Sequence, residues 1–65
     1  MINQKTLLSL GFKLKSEYRR YNTYSKDEIT IDVAKYKTQG EYHSTVTLNG
    51  EQHVVKTLEE LKKLI

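Results

Sequence analysis

The residues best suited to recognition chemistry are concentrated between positions 13 and 26. Arg19 and Arg20 stand side by side there, with tyrosines at positions 18, 21 and 24. Guanidinium groups neutralise phosphates and carboxylates, and tyrosine rings stack on bases or anchor protein contacts. The same composition is also typical of an ordinary strand whose tyrosines are partly buried under arginines. We predict a binding surface formed by Tyr18, Arg19, Arg20, Tyr21, Tyr24 and Lys26.

The charge of the chain is distributed unevenly along the sequence. The net charge is +3 at pH 7, with His taken as neutral. Residues 1–26 contain six lysines and arginines against Glu17 as the one acid, whereas residues 27–65 contain seven carboxylates against five lysines. A basic segment in an otherwise slightly acidic chain indicates an anionic partner, either a nucleic acid or an acidic protein surface.

The side chains that catalysis and metal binding require are scattered. Cysteine is absent, and the two histidines, His43 and His53, are expected on opposite faces of a sheet, where they cannot share a metal ion. The glycines stand alone, so the sequence has no phosphate-binding loop, and no serine has the flanking glycines of a nucleophile elbow. We predict a protein that is not an enzyme, with no catalytic residues, metal site or cofactor.

The C-terminal part of the sequence carries the strongest structural signals. The Asn-Gly pair at 49–50 favours a two-residue hairpin turn between strands at 41–48 and 51–56, because both residues tolerate a positive φ. Thr57 and Glu60 have the spacing of a capping box at the start of a C-terminal helix. The leucines of that helix fall on one face, so we expect it to pack against the sheet.

Residues 28–36 form a second clear strand, because apolar side chains at 29, 31 and 33 alternate with polar ones. The turn to the next strand is predicted at 37–40, with Tyr36 opposite Glu41. This register places Ile31 opposite Val46, and the hairpin at 49–50 places His53 opposite the same valine. Both turns therefore assign one apolar face to the sheet. That face is formed by Ile29, Ile31, Val33, Val46, Leu48 and Val55.

The N-terminal part begins with a short predicted helix at residues 4–9. Asn3 is suited to cap its start and Gly11 to end it, while Ile2 and Leu7 have the spacing of a hydrophobic staple. The three-residue spacing of the following tyrosines fits neither a regular strand nor a helix. We predict one strand over 17–24, interrupted by a bulge, and a turn at 25–27.

Together these elements predict an α+β fold in a single domain over residues 1–65. The order is αββββα: an antiparallel meander of three to four strands, with a short N-terminal helix and a C-terminal helix on one face. A hydrophobic content of 37% is enough for a packed core. No apolar run approaches the roughly 18–20 residues of a membrane span, and no targeting motif is found, so we expect a cytoplasmic protein without membrane contacts.

The ends of the two predicted helices carry a resemblance that spans the chain. A short helix ending in Leu10-Gly11-Phe12, and a final helix beginning Thr57-Leu58-Glu59-Glu60-Leu61, resemble small orphan proteins encoded by phages and prophages. That resemblance implies an accessory or regulatory protein directed at the bacterial host.

Residues 28–65 carry a second resemblance. Three strands and a helix, with Gly40-Glu41-Tyr42 and Leu48-Asn49-Gly50 at the turns, are similar to the arm-type DNA-binding domains of phage integrases and to AP2-like domains. Such domains lay a basic three-stranded sheet in the major groove. This sequence instead places Glu28, Asp32 and Glu41 on those strands, so no site residue is transferred from that family.

The chemistry and the first resemblance favour a non-enzymatic binding module that modulates a host protein, for example a defence or replication component. The partner would bind the basic, tyrosine-rich surface around Arg19 and Arg20. DNA or RNA binding through the same surface is the alternative. A structural or self-associating role, with a homo-oligomer formed through a sheet edge, also remains open.

Overall fold

The computed structural model describes residues 2–65, which form a five-stranded antiparallel sheet with a short helix near each end of the chain. The elements are α1 (Gln4–Ser9), β1 (Lys13–Glu17), β2 (Tyr21–Lys26), β3 (Ile29–Ala34), β4 (Ser44–Leu48), β5 (Glu51–Val55) and α2 (Leu58–Leu64). The order of strands in the sheet is their order in the sequence. The predicted α+β class and antiparallel meander are confirmed, and the strand count exceeds the predicted three to four.

The second half of the meander has the predicted register. Val46 lies opposite both Ile31 of β3 and His53 of β5. The turn at 49–50 has positive φ at both residues, 50° and 83°, as the hairpin turn requires. The β3–β4 connection differs from the prediction, because β3 ends at Ala34 and an isolated bridge pairs Glu41 with Thr38. Tyr36 therefore lies in a loop, where the prediction placed it in a strand.

The segment that was predicted as one strand over 17–24 forms two strands, and that prediction is wrong. β1 and β2 are joined by a tight turn in which the Tyr18 N–H donates to the Tyr21 carbonyl at 2.9 Å. The pairing shifts by one residue between Leu14 and Ser16, so a bulge interrupts the alternation in β1. The turn residues Arg19 and Arg20 have no positive φ, so this turn needs neither glycine nor asparagine.

The sheet has one covered face, which we call the inner face, and one open face, which we call the outer face. The inner face carries the predicted apolar residues together with Tyr24, and both helices contribute to its core. Burial of this apolar surface is the main driving force for folding. The core consists of Ile2, Leu7, Phe12, Tyr24, Ile31, Val46, Val55 and Leu61.

Helix α1 has a defined beginning and end. The Asn3 side chain accepts the Thr6 N–H at 2.8 Å, as predicted for the cap. At the other end the Phe12 N–H donates to the Leu7 carbonyl at 3.0 Å, and the Gly11 N–H donates to the Leu8 carbonyl at 3.1 Å. These two bonds are those of a Schellman motif, which places Phe12 beside Leu7 in the core.

Helix α2 begins with one of the two bonds of the predicted capping box, because the Glu60 carboxylate accepts from the Lys56 N–H and not from the Thr57 N–H. The Glu60 N–H donates to the Thr57 hydroxyl at 3.2 Å, and the Lys56 N–H donates to the Glu60 carboxylate at 3.4 Å. Leu61 is fully buried and fixes the helix on the inner face. Neither helix found in residues 2–65 has the length and apolar composition of a membrane-crossing segment.

Replacement of Gly11 by Ala tests the turn that ends α1. Gly11 has φ 96°, and a Cβ there would lie 3.2 Å from the Lys26 side chain. We expect Gly11→Ala to lower the free energy of unfolding by about 1–2 kcal/mol in urea denaturation. Gln4→Ala, an exposed change in the first turn of the same helix, should stay within about 0.5 kcal/mol of the parent. Equal stabilities for the two variants would contradict the assigned motif.

Candidate binding surface

Four of the six predicted surface residues lie together at the turn between β1 and β2. Tyr18 immediately precedes the turn, Arg19 and Arg20 form it, and Tyr21 begins β2. All four are exposed, and Tyr18 keeps 50% of its surface accessible. The tyrosine rings lie against each other with centroids 4.9 Å apart and a tilt of 35°, within the range of a favourable aromatic pair.

The other two predicted surface residues lie on the opposite face of the sheet. Tyr24 is only 3% exposed and belongs to the core, opposite Ile31. Lys26 is half-buried beside Gly11, and its ammonium group donates to the Leu10 carbonyl at 2.7 Å. Lys26 therefore satisfies a carbonyl at the end of α1. Neither side chain is part of a surface that includes Arg19 and Arg20.

The β1–β2 turn formed by Arg19 and Arg20, which we call the arginine turn, is fixed to the rest of the sheet through its main chain. The Arg20 carbonyl accepts the Lys35 N–H at 2.9 Å, which continues the β2–β3 ladder by one residue beyond Ala34. Together with the bond from Tyr18 to Tyr21, this holds the turn from both sides. The two guanidinium side chains are thus carried by an ordered backbone, which reduces the entropy that binding must overcome.

An open depression lies on the outer face, between the arginine turn and the β3–β4 loop. Its volume is about 720 Å³, within the usual range for ligand-binding clefts. Strands β2, β3 and β4, together with the β1–β2 and β3–β4 connections, supply its lining. We call it the outer-face depression, and it is lined by Arg19, Arg20, Tyr21, Asp32, Ala34, Tyr36, Thr38, His43 and Thr45.

Three of the lining side chains, Tyr36, Thr38 and His43, come from the β3–β4 loop region and were not among the predicted site residues. Tyr36 is 64% exposed, and His43 lies just before β4. The sequence did place His43 on the outer face, but it gave no indication that residues 19 and 43 meet. That proximity depends on the extra β1–β2 hairpin and on the loop that removes Tyr36 from β3.

The charges in the depression are unevenly satisfied. Asp32 accepts a hydrogen bond from the Thr23 hydroxyl at 2.7 Å across the β2–β3 pair. The ion pairs found in residues 2–65 all involve Glu41 or Glu51, so neither Arg19 nor Arg20 has a carboxylate partner there. An exposed, unpaired guanidinium can still form a bidentate contact with a carboxylate or phosphate.

A small ion network lies beside the depression. The Glu41 carboxylate is 3.0 Å from the Lys56 ammonium and 3.4 Å from His43 Nε2. The hydrogen bond and charge of Lys56 hold the pKa of Glu41 below its usual value, and Glu41 in turn raises the pKa of Lys56. This network occupies Glu41, so Asp32 remains the carboxylate that lines the depression itself.

The outer-face depression presents groups suited to recognition. Among the hydrogen bonds of residues 2–65, no serine or threonine hydroxyl is paired with a histidine. Within the same residues, no group of three or more His, Cys, Asp or Glu side chains is placed to hold a metal ion. What the depression can do is bind an anionic group at its arginine wall and a hydrogen-bond donor at Asp32.

Comparison of the chain with models of protein families, with curated proteins and with solved structures finds no match. The functional interpretation therefore rests on the chemistry of this surface.

Alanine substitutions separate the tyrosine in the core from the tyrosine on the surface. Tyr24→Ala should lower the free energy of unfolding by roughly 3–5 kcal/mol, because it removes a buried ring and leaves a cavity. Tyr18→Ala should cost roughly 0.5–1.5 kcal/mol, the value of a partly exposed aromatic pair. Urea denaturation followed by circular dichroism measures both changes. A larger loss for Tyr18→Ala would contradict the assignment of the faces.

The Glu41–Lys56 pair predicts a pH effect. Because the folded pKa of Glu41 is lowered, the pair stabilises the fold above the unfolded carboxyl pKa, and this contribution is lost as pH falls through the folded value. We expect Lys56→Met to raise the pKa of Glu41 toward its usual value in an NMR titration of its side-chain carboxyl carbon. Lys62→Met on α2 is the control and should leave the titration of Glu41 unchanged.

Proposed function

We propose that this protein is a non-enzymatic binding module that attaches to an acidic protein surface through the outer-face depression and the arginine turn. The observation that carries the proposal is the pair of unpaired guanidinium groups, Arg19 and Arg20, on a turn held by main-chain hydrogen bonds on both sides. Ordered arginines beside exposed tyrosines are the residue types enriched in binding hot spots.

The side chains around the arginines favour a protein partner with mixed chemistry. Tyr21 and Tyr36 supply aromatic contact area with few rotatable bonds, and Thr38 and Thr45 supply hydroxyl groups. Asp32 offers an acceptor in the same depression. A partner that places a carboxylate against the arginines and an amide or ammonium group near Asp32 would satisfy all of these groups.

The resemblance of the helix ends to phage and prophage proteins supports a more specific proposal about the partner. On that basis the protein acts in the cytoplasm of a bacterial host and modulates a host protein, for example a defence or replication component. Modulation by binding requires only recognition groups, which the depression supplies.

Nucleic acid is the second candidate partner, and the exposed pair of tyrosines favours it. Tyr18 and Tyr21 are exposed, lie next to two arginines, and could stack on unpaired bases. Asp32 weighs against this reading, because a phosphate chain crossing the depression would approach its carboxylate. A protein partner is therefore favoured.

The proposal predicts that removal of two charges at the turn abolishes binding. Affinity capture from bacterial lysate, treated with nuclease and quantified by mass spectrometry, would compare the parent with Arg19→Ala/Arg20→Ala. We expect at least one host protein to be retained by the parent and reduced at least tenfold by the double variant. A tenfold loss corresponds to about 1.4 kcal/mol, which two interface arginines readily supply.

The matched control is Lys62→Ala/Lys63→Ala, which removes the same charge from α2. Retention that falls equally in both double variants would indicate nonspecific charge attraction and overturn the proposed surface. Fluorescence anisotropy with labelled single- and double-stranded DNA and RNA tests the second candidate. Binding that weakens steeply with salt, and that the arginine variant loses, would replace the protein partner with a nucleic acid.

A further inference from the structure

The edge of the sheet at β5 has free main-chain groups in a defined pattern. The Ala34 N–H donates to the His43 carbonyl, so residues 43, 45 and 47 bond to β3, and the even-numbered residues of β4 bond to β5. The two-residue turn at 49–50 leads to the same assignment of hydrogen-bonded pairs between β4 and β5, because it makes Leu48 and Glu51 a hydrogen-bonded pair. Gln52 and Val54 therefore direct their N–H and C=O groups away from the sheet.

The other edge of the sheet is protected against strand pairing, and the β5 edge is not. β1 contains a bulge between Leu14 and Ser16 and carries lysines at positions 13 and 15. Bulges and lysines are the usual means of preventing edge-to-edge contact. β5 pairs with β4 in an unbroken register, and its sequence, Glu-Gln-His-Val-Val, contains no lysine or proline. The lysine that follows it, Lys56, has its ammonium group paired with Glu41 at 3.0 Å.

The side chains at this edge include the most exposed aliphatic residue of the sheet. Val54 is 63% exposed and lies on the outer face, opposite Thr45. Its outer-face neighbours on β4 and β5, Thr45, Thr47 and Gln52, are polar, so this valine leaves apolar surface in water that a second strand would cover.

We propose that two copies of this chain associate through β5, with the two strands antiparallel and Val54 on the two-fold axis. In this register Val54 contacts Val54 of the second copy, and each Gln52 lies opposite Lys56 of the other chain. Lys56 and Thr57 extend the pairing, because the chain is still extended at Thr57, with φ −126° and ψ 162°. The Lys56 N–H, which donates to the Glu60 carboxylate at 3.4 Å in the single chain, would donate to the Gln52 carbonyl of the second copy instead. The free groups of Gln52 and Val54 fall in hydrogen-bonding positions.

The pairing is self-complementary in charge. Glu51 lies opposite Thr57 of the second copy, and His53 lies opposite Val55, so no like charges face each other. A register shifted by one residue, centred on His53, would instead bring two imidazoles together at the closest approach between antiparallel strands. It would also leave each Val54 opposite Gln52. The Val54-centred register is the one that covers the exposed valines with each other.

A two-fold axis through this pair leaves both outer faces on the same side of one ten-stranded sheet. Two outer-face depressions would then be presented together to a partner. If each binds, the second contact becomes intramolecular, and the overall affinity rises without new residues at either site. The dimer does not depend on the identity of that partner, and its test uses no variant of Arg19 or Arg20.

Sedimentation equilibrium of the full chain tests the proposal. We expect a monomer–dimer equilibrium, with a dissociation constant raised at least tenfold by Val54→Lys, which places two ammonium groups on the axis. Thr30→Lys adds the same charge to the middle of the outer face and should leave the dissociation constant within twofold. Val54→Pro removes an N–H that β4 does not use, so the fold should survive while the dimer is lost.

Charge changes at Gln52 test the register. Opposite Lys56, Gln52→Glu should lower the dissociation constant and Gln52→Lys should raise it, whereas in the His53-centred register both changes would weaken the dimer. In parallel, hydrogen exchange of the Gln52 and Val54 amides should slow as protein concentration increases. A monomer at all concentrations up to about 1 mM, or a dimer that persists in Val54→Pro, would overturn the proposal.

Discussion

The structure depends on the fact that only one face of the sheet can be covered. The two helices have six and seven residues, too short to be stable alone, and they hold their positions through Leu7 and Leu61 in the core. Ile31 and Val46 are fully buried beneath them. The outer face receives no such cover, so its side chains must be compatible with water or with a partner. This division decides where function can lie.

The sequence was most informative where backbone conformation demands particular residues. The Asn-Gly turn and the alternation of Ile29, Ile31 and Val33 determine the pairing of β3, β4 and β5, because a shift of one residue would expose the apolar side chains. The helix caps at Asn3 and Thr57 could also be predicted, because few side chains can accept hydrogen bonds from the free amides of a first helical turn.

The candidate site was only half predictable, and the reason is the turn at Arg19 and Arg20. Neither residue of this turn has a positive φ, so the turn requires no glycine or asparagine from which it could be predicted. The bulge near Lys15 removes the alternation that would have revealed β1. As a result, the three tyrosines lie in three different places: Tyr18 at the turn, Tyr21 on the outer face and Tyr24 in the core. Tyr36 and His43 join the site through a loop whose conformation no short-range signal specified.

The meander has a consequence for how the chain folds. Each strand pairs with a neighbour in sequence, and the longest connection between paired strands runs from 35 to 43, so hairpins form by closing short loops. Such local closure costs little chain entropy and is associated with fast folding. The core requires contacts between segments that are distant in sequence, since Ile2 and Leu61 belong to the same cluster. The sheet can assemble from neighbouring hairpins, and α2, which follows β5, closes the core over it.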